Sequence, residues 1–502
     1  MSDNRKEKVT VIGAGLGGLS AAIALATEGF NVSIYEKRER IGGKLNIREI
    51  DGYKFDLGPS ILILPHIFGW LFEKLGKKRE DYFDIVKLEP QWRNFFEDGV
   101  VIDLYGDMAE MEAELAKLPE PETRGFYKYI DYSRNLWNFA QEAYFGRGAD
   151  TMEDIKRGFG KIELLRITDY FKTLADGVEK RIENQHLRDI MAFFVKYVGS
   201  SPFNAPAILN LIPYSQLGYG EWYVKGGMYN IARGLGKLLE ESGVELHLNT
   251  EVTDIQVDGN RATGIVLENG ESVNADIVVS NMEVIPAYKE LLDAPKKFID
   301  KYEKKFEPSC SGLVIHLGVD REYPVLAHHN FFFAENLREH MAKVYDKYEL
   351  PGDPTIYVVC PTRTDKTLAP EGHEVIKLLP HIPHLQDEPF TREQYDELKE
   401  NLYVKMERLG VENLRDHIVV EDVLYPEDIQ RMYFSNRGSI YGVVSDKRKN
   451  KGFRAPKRSE LYKGLYFVGG SVNPGAGMPM VSYSGQMVRD KILEDYSYQG
   501  GN

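Results

Sequence analysis

Residues 9–36 read "VTVIGAGLGGLSAAIALATEGFNVSIYE", and this stretch decides the fold. Val9–Gly13 is a short apolar run ending in glycine, the pattern of a parallel strand buried on both faces. Leu19, Ala22, Ile23 and Ala26 then recur at helical spacing, Gly29 ends the helix, and "NVSIYE" is a second strand. Between the first strand and the helix stand Gly13, Gly15 and Gly18 in the order G-x-G-x-x-G. Gly13 permits the tight turn, Gly15 lets a pyrophosphate approach the backbone, and Gly18 lets the helix pack close to the strand. Phosphates then meet free amides and the positive end of a helix dipole. Glu36 ends the second strand 18 residues after Gly18, where a carboxylate accepts hydrogen bonds from an adenosine ribose. A solvated acid at a strand end is the plainer alternative. An acid rather than a base here favours an unphosphorylated ribose.

Working outward, 502 residues exceed one simple core, so two or more domains are expected. The net charge of −14 argues against nucleic acid and against electrostatic docking on anionic lipid. Aromatic residues reach 12%, which fits either large cores or a long apolar cavity. Cys310 and Cys360 lack metal-ligand or CxxC spacing and read as buried thiols in a reducing compartment. "MSDNRKEK" is polar and leads straight into a strand, unlike a signal peptide, and no apolar run is long enough to span a bilayer. The expectation is a cytoplasmic protein, soluble or peripheral at the inner face of the cell membrane.

Residues 107–200 read as mostly helical. "YNIARGLGKLLEESG" is a helix with Ile231, Leu235, Leu238 and Leu239 on one face. "VELHLNTEV", "TDIQV", "ATGIVLE" and "SVNADIVVS" read as an antiparallel ladder turning at "DGN" and "ENG". The tail from Leu461 is again strand, glycine-rich turn and helix. No internal repeat or low-complexity linker occurs, so the domains interleave.

"EKRERIGGKLN" sets Gly42 and Gly43 behind Glu36, and this resembles the N-terminal signature of amine-oxidase-like flavoproteins. The wider pattern "IGGK…DGYKFDLGPSI…KGGM…LYFVGGSVNPGAGMPMV" resembles the carotenoid desaturases and oxidases along nearly the whole chain. The resemblance implies an α/β fold with FAD as cofactor. A Rossmann-type FAD-binding domain would comprise residues 1–95, 215–285 and 435–502. It would be interleaved with a helical region, 96–214, and a mixed α+β substrate domain, 286–434. It also implies that Lys37, Gly42, Gly43 and Lys44 lie against the cofactor, that Gly58, Pro59 and Ser60 pass near the flavin, and that Val252 meets the adenine. Gly470, Ser471, Gly477, Met478 and Pro479 would close over the pyrophosphate and ring. Desaturases typically carry Thr-His-Pro-Gly in that last loop. Here it reads Val472–Asn473–Pro474–Gly475, which favours the oxidase branch. The implied activity is oxidation of the terminal methyl group of a C30 acyclic carotenoid to the aldehyde, with desaturation of such a polyene as the alternative. No second GxGxxG marks an NADPH domain, so molecular oxygen or a quinone would take the electrons.

Such chemistry needs a flavin and a dry tunnel more than a catalytic triad. His329, in "AHHNFFF", is the candidate for proton transfer. His328, His381 and His384 read as structural or surface residues, and no metal is expected. Asp56 would assist a proton near the flavin or cap a turn. Arg93 would orient the substrate channel or form a salt bridge on a sheet. A long hydrophobic polyene dissolves in membranes, so the enzyme is expected to touch one. "ILILPHIFGWLF" (61–72) and "APAILNLIPYSQLGYGEWYV" (205–224) are the candidate contacts, and either is equally suited to a core.

Overall fold

A computed structural model describes residues 7–157, 159 and 167–497. The opening stretch forms strand β1 (Lys8–Ile12), helix α1 (Leu16–Ala26) and strand β2 (Asn31–Tyr35), with Gly29 at φ +86° in the turn between helix and second strand. β1 pairs in parallel with β2 on one side and with Ile277–Ser280 on the other, so Val9 faces both Val32 and Ile277. Leu465–Phe467 and Glu245–His247 complete a five-stranded sheet in which every pairing is parallel. The final helix, Met478–Ser497, packs along α1, and a Cβ on Gly485 would lie 2.6 Å from the Ala21 amide nitrogen. Only glycine permits that approach.

The expected antiparallel ladder is shorter than its sequence. Val252–Asp258, Arg261–Leu267 and Ser272–Asn274 form it, whereas Glu245–His247 and Ile277–Ser280 leave it for the parallel sheet. All four residues of Ile277–Ser280 are buried, as a strand covered on both faces demands.

A second sheet has eight strands. Its main path runs Ile418–Leu424, Val314–Val319, Glu374–Ile382, Ile356–Val359, His329–Phe332, Trp92–Phe95 and Val101–Leu104. Trp92–Phe95 was expected in the dinucleotide unit, but it pairs with His329–Phe332 and so joins this sheet. Helices cover one side: Glu120–Ala140, Leu174–Glu179, Gln185–Phe193 and the turns of 207–217. Trp92, Phe193, Phe194, Phe331 and Phe333 fill the seam between sheet and helices. Much of the aromatic content is therefore core. Both cysteines are buried. Among the described residues no helix is long and apolar enough to cross a membrane.

Candidate active site

The glycines of the first turn lie at the carboxyl ends of the parallel strands, where open α/β sheets bind ligands. Gly13 adopts φ +90°, and its N–H donates to the Tyr35 carbonyl at 2.8 Å. A Cβ on Gly18 would lie 2.1 Å from the Gly13 oxygen, which the close packing forbids. Gly42 and Gly43 come back onto the turn: the Gly42 N–H donates to the Ala14 carbonyl at 2.8 Å, and a Cβ on Gly43 would sit 3.1 Å from the Gly15 Cα. The first and second glycine groups therefore form one surface. No side chain caps the N-terminus of α1, so its first-turn amides and dipole are left for an anion. Glu36 is buried. Its carboxylate accepts from the Ala14 N–H at 2.8 Å and the Arg38 N–H at 3.1 Å, which fixes it at the end of β2. Val252 packs in the same cluster as Tyr35, and Tyr35 stacks on His247 with ring centroids 4.5 Å apart. This cradle fits the adenosine and pyrophosphate of a dinucleotide.

Sequence reasoning missed Asn281, which ends the strand Ile277–Ser280 and lies across the turn. A Cβ on Gly15 would fall 2.5 Å from its Nδ2 and one on Gly17 would fall 2.6 Å from its Oδ1. The C-terminal loop closes from the other side, with the Gly469 N 3.0 Å from where a Gly17 Cβ would be. Ser471 Oγ accepts from the Val284 N–H at 3.1 Å. Lys44 Nζ lies 3.0 Å from Glu283 Oε1 and donates to the Ser439 carbonyl, while Lys37 Nζ sits over the Phe434 ring. Gly58 is forced, because a Cβ there would collide with the Lys44 carbonyl. Buried Lys377 donates to the carbonyls of Asp56 and Gly58 and to Ser60 Oγ, holding 56–60 in place. Burial pulls this ammonium down to about 8.

Beside the cradle opens a mainly apolar cavity of about 290 Å³. One wall includes Gly477, Met478, Pro479, Ile61, Ile63 and Leu64, and another comes from the helical region, with Trp137, Phe145 and Ile208. Gly477–Pro479 thus join the closing loop to the cavity. Two polar ties fasten that loop to the helices. Tyr144 Oη donates to Asn473 Oδ1 at 2.9 Å, and Asn473 Nδ2 donates to the Asp150 carbonyl at 3.3 Å, with the fully buried Lys457 Nζ 2.5 Å from Asp150 Oδ1 and 3.4 Å from the Asn473 carbonyl. Arg454, also buried, gives its guanidinium to the carbonyls of Tyr441, Gly470 and Val198.

None of the three expected catalytic residues lies on this cavity's walls. Arg93 is a structural arginine: its Nε and Nη2 grip Asp103 at 2.9 and 2.8 Å and Nη1 donates to Val325. Asp56 is turned away, accepting from the Met228 N–H at 2.9 Å and the Tyr229 N–H at 3.4 Å. Burial pushes its carboxyl up, opposed by those amides and by Lys377. His329 is wholly buried between Tyr357 Oη, 3.0 Å from Nδ1, and Glu221 Oε1, 3.3 Å from Nε2. Burial holds this imidazole far below its ordinary value. Its neighbours form a cluster that the sequence hid: Lys196, with its ammonium against the rings of Trp92, Tyr197, Phe331 and Tyr357, and Glu221. Desolvation drives both ions toward neutrality, the lysine down and the glutamate up. Of this cluster, Tyr197 reaches the cavity wall. Among the described residues no His, Cys, Asp and Glu side chains gather as a metal site would need.

A dinucleotide cradle built into a parallel sheet, with an apolar cavity at its closing loop, defines a flavin-dependent oxidoreductase. The chain belongs to the flavin containing amine oxidoreductase family, whose model matches residues 16–493, and FAD is its cofactor. The chain is 54% identical over 496 residues to a 4,4'-diapolycopene oxygenase of Methylomonas sp, covering 99% of this chain and 100% of that protein. It is 48% identical to a 4,4'-diaponeurosporene oxygenase of Staphylococcus haemolyticus (strain JCSC1435), with 97% of each chain covered. Solved structures share the fold at low identity. An oxidoreductase from Methanosarcina mazei aligns at TM-score 0.63 and 16% identity, covering 96% of this chain and all of that one. A fatty acid isomerase from P. acnes aligns at TM-score 0.59 and 16% identity, covering 99% of each.

Proposed function

We propose that this enzyme oxidises the terminal methyl group of a C30 acyclic carotenoid, of the 4,4'-diapolycopene or 4,4'-diaponeurosporene type, through the alcohol to the aldehyde. The observation that carries the reading is the mainly apolar cavity joined to the closing loop, beside near-full-length likeness to oxygenases named for these polyenes. FAD, when bound, supplies the oxidising chemistry for an allylic C–H bond, with oxygen or a quinone as the final acceptor.

The chain's own residues do the rest. The cavity walls strip water from a conjugated chain and set its end near Gly477–Met478. A charge or radical spread along the polyene is then kept from solvent. The ties through Tyr144, Asn473, Lys457 and Asp150 hold wall and loop at fixed spacing, which is what orientation demands of them. Catalysis asks little of an acid or base here, consistent with a wall of aromatic and aliphatic side chains. The polyene resides in a bilayer, so we read the protein as a peripheral visitor to the inner face of the membrane.

The test is mass spectrometry of carotenoids from cells that make this protein together with a C30 polyene. The reading requires products that gain one oxygen and lose two hydrogens at each oxidised end. Products that only lose pairs of hydrogens would replace it with desaturation.

A further inference from the structure

Lys196 is a buried nucleophile that the oxidation does not use. It lies in the turn Phe194–Val198. Its Nζ stands 4.6 Å from the ring centroids of Trp92, Tyr197 and Phe331 and 4.4 Å from that of Tyr357. It makes no hydrogen bond or ion pair among the described residues. The other buried lysines there, Lys377, Lys405 and Lys457, each give Nζ to oxygen atoms. An ammonium has three donors, and burying them against ring faces alone favours the neutral amine. Burial draws Lys196 down to about 7, opposed by Glu221.

The next two residues, Tyr197 and Val198, are cavity wall, so the Tyr197 ring that Lys196 leans on belongs to that wall. This part of the cavity adjoins the closing loop. Arg454 gives its guanidinium to the Val198 and Gly470 carbonyls at 3.2 and 2.7 Å. A Cβ on Gly199 would lie 2.6 Å from the Tyr441 ring, and one on Gly442 would lie 2.7 Å from the Gly470 oxygen. Glu221 is wholly buried and close enough to Lys196 for each charge to act on the other. Its Oε2 accepts from Gln216 Nε2 at 3.3 Å, while Oε1 has no hydrogen-bond partner. Burial keeps the neighbouring imidazoles of His329 and His381 neutral and raises the Tyr197 and Tyr357 hydroxyls. Lys196 and Glu221 are therefore the two groups of the cluster suited to exchanging a proton.

We propose that Lys196 captures the terminal polyene aldehyde as an imine, with Glu221 as proton donor and then as counter-ion. The neutral amine adds to the carbonyl carbon, and one of its protons passes to the oxygen to give a carbinolamine. Glu221 protonates that hydroxyl, the carbon–oxygen bond breaks, and water leaves. What remains is a protonated imine beside a carboxylate, with no electron gained or lost. Lysines desolvated in apolar pockets are the ones that form such bonds with carbonyls, and the flexible four-carbon stem lets the amine swing past Tyr197. Conjugation spreads the positive charge into the polyene, and the four rings that hold an ammonium suit that charge equally. The product end would thus be retained at the closing loop until water hydrolyses the imine. The inference rests on the aldehyde reading for its natural electrophile, and on the Lys196 cage alone for its geometry.

The experiment supplies the aldehyde directly. Purified holoenzyme at pH 7 is mixed with an acyclic ten-carbon conjugated tetraenal, reduced with cyanoborohydride and digested for peptide mass mapping. At that pH Lys196 holds on the order of a thousandfold more free amine than an exposed lysine. Its peptide should therefore gain the mass of the aldehyde less one oxygen atom, at about tenfold or more the yield of any exposed lysine. The matching tetraene hydrocarbon, which fills the cavity but has no carbonyl, should suppress labelling at Lys196 and leave surface labelling unchanged. Glu221→Gln, which keeps the shape but removes the proton donor, should slow labelling of Lys196 about tenfold. Flavin content and circular dichroism establish that this variant is folded, and the wild-type result stands without it. Labelling of Lys196 no higher than that of exposed lysines, or labelling that the hydrocarbon does not suppress, overturns the proposal. Labelling of Glu221→Gln at the wild-type rate removes Glu221 from it. Because the aldehyde is supplied, failure here would leave the oxidation reading to its own product analysis.

Discussion

Removing one partner of the buried Lys457–Asp150 pair should loosen the closing loop more than any single apolar deletion nearby. Lys457 is fully buried, its ammonium 2.5 Å from Asp150 Oδ1 and 3.4 Å from the Asn473 carbonyl. Asp150 retains only the Asn473 amide, at 3.4 Å, when the lysine is gone. Lys457→Met matches the volume and leaves a largely shielded carboxylate without its cation, and breaking a buried pair typically costs about 3–5 kcal/mol, an upper bound here. Asp150→Asn keeps a hydrogen-bonding side chain but leaves the ammonium uncompensated, so a cost of the same order is expected. Burial already disfavours that ammonium, which Asp150 opposes. The double variant Lys457→Met/Asp150→Leu removes both charges, and replacement of a whole buried pair is often close to neutral. Urea unfolding of the two single variants and the double variant, read by tryptophan fluorescence, gives the coupling. Single costs of several kcal/mol with a double variant less damaged than either would establish the tie. Singles costing under about 1 kcal/mol, or costs that simply add, would refute it. Flavin released on gel filtration should rise in step with the single-variant losses, since the pair anchors the loop that closes the cradle.

Gly18→Ala should weaken FAD retention at least tenfold, measured as flavin absorbance per protein, because its Cβ would be 2.1 Å from a backbone oxygen that cannot yield. Ile208→Trp should narrow the cavity and lower kcat/KM for the polyene tenfold or more, while flavin content stays at the wild-type level. Lys377 offers a pH test. Its folded value is pulled by burial to about 8, below the unfolded lysine value of about 10.4. The unfolded chain therefore binds the extra proton between those limits, so stability rises with pH through that window. The penalty is full below about pH 8, and the rise is worth at most about 3 kcal/mol. Denaturation midpoints of the wild type against Lys377→Met from pH 7 to pH 10 check this, and a flat difference would contradict it.

What could be read from the chain was what is local. Gly13 to Glu36 carries its own turn, helix and strand-end acid within one βαβ unit, so the dinucleotide cradle followed from spacing, while FAD was implied by the resemblance carried by Gly42 and Gly43. The long-range partners were hidden. "VELH" and "IVVS" look like rungs of the hairpins beside them, and nothing in their residues records that β2 and β1 claim them. Arg93 is on a strand in either reading, and only the position of Asp103 across the hairpin tells a clamp from a channel residue. The cavity was the least legible feature. Ile61, Trp137, Ile208 and Met478 come from four separate stretches, and an apolar side chain facing a void has the same periodicity as one facing a core. Asn281 was within reach, because it ends an apolar strand of the kind whose carboxyl edge faces the ligand.

The parallel sheet is completed from both ends of the chain. Its outer strand, Leu465–Phe467, and the helix against α1 are made more than 450 residues after β1. At ordinary rates of synthesis they leave the ribosome on the order of a minute after β1. Until then α1 lacks the surface that Gly485 presses against it, and the loop that covers the cradle does not exist. The early glycine turn must therefore wait, with its apolar flank exposed, for its far partner. That interval is where a chaperone has most to do.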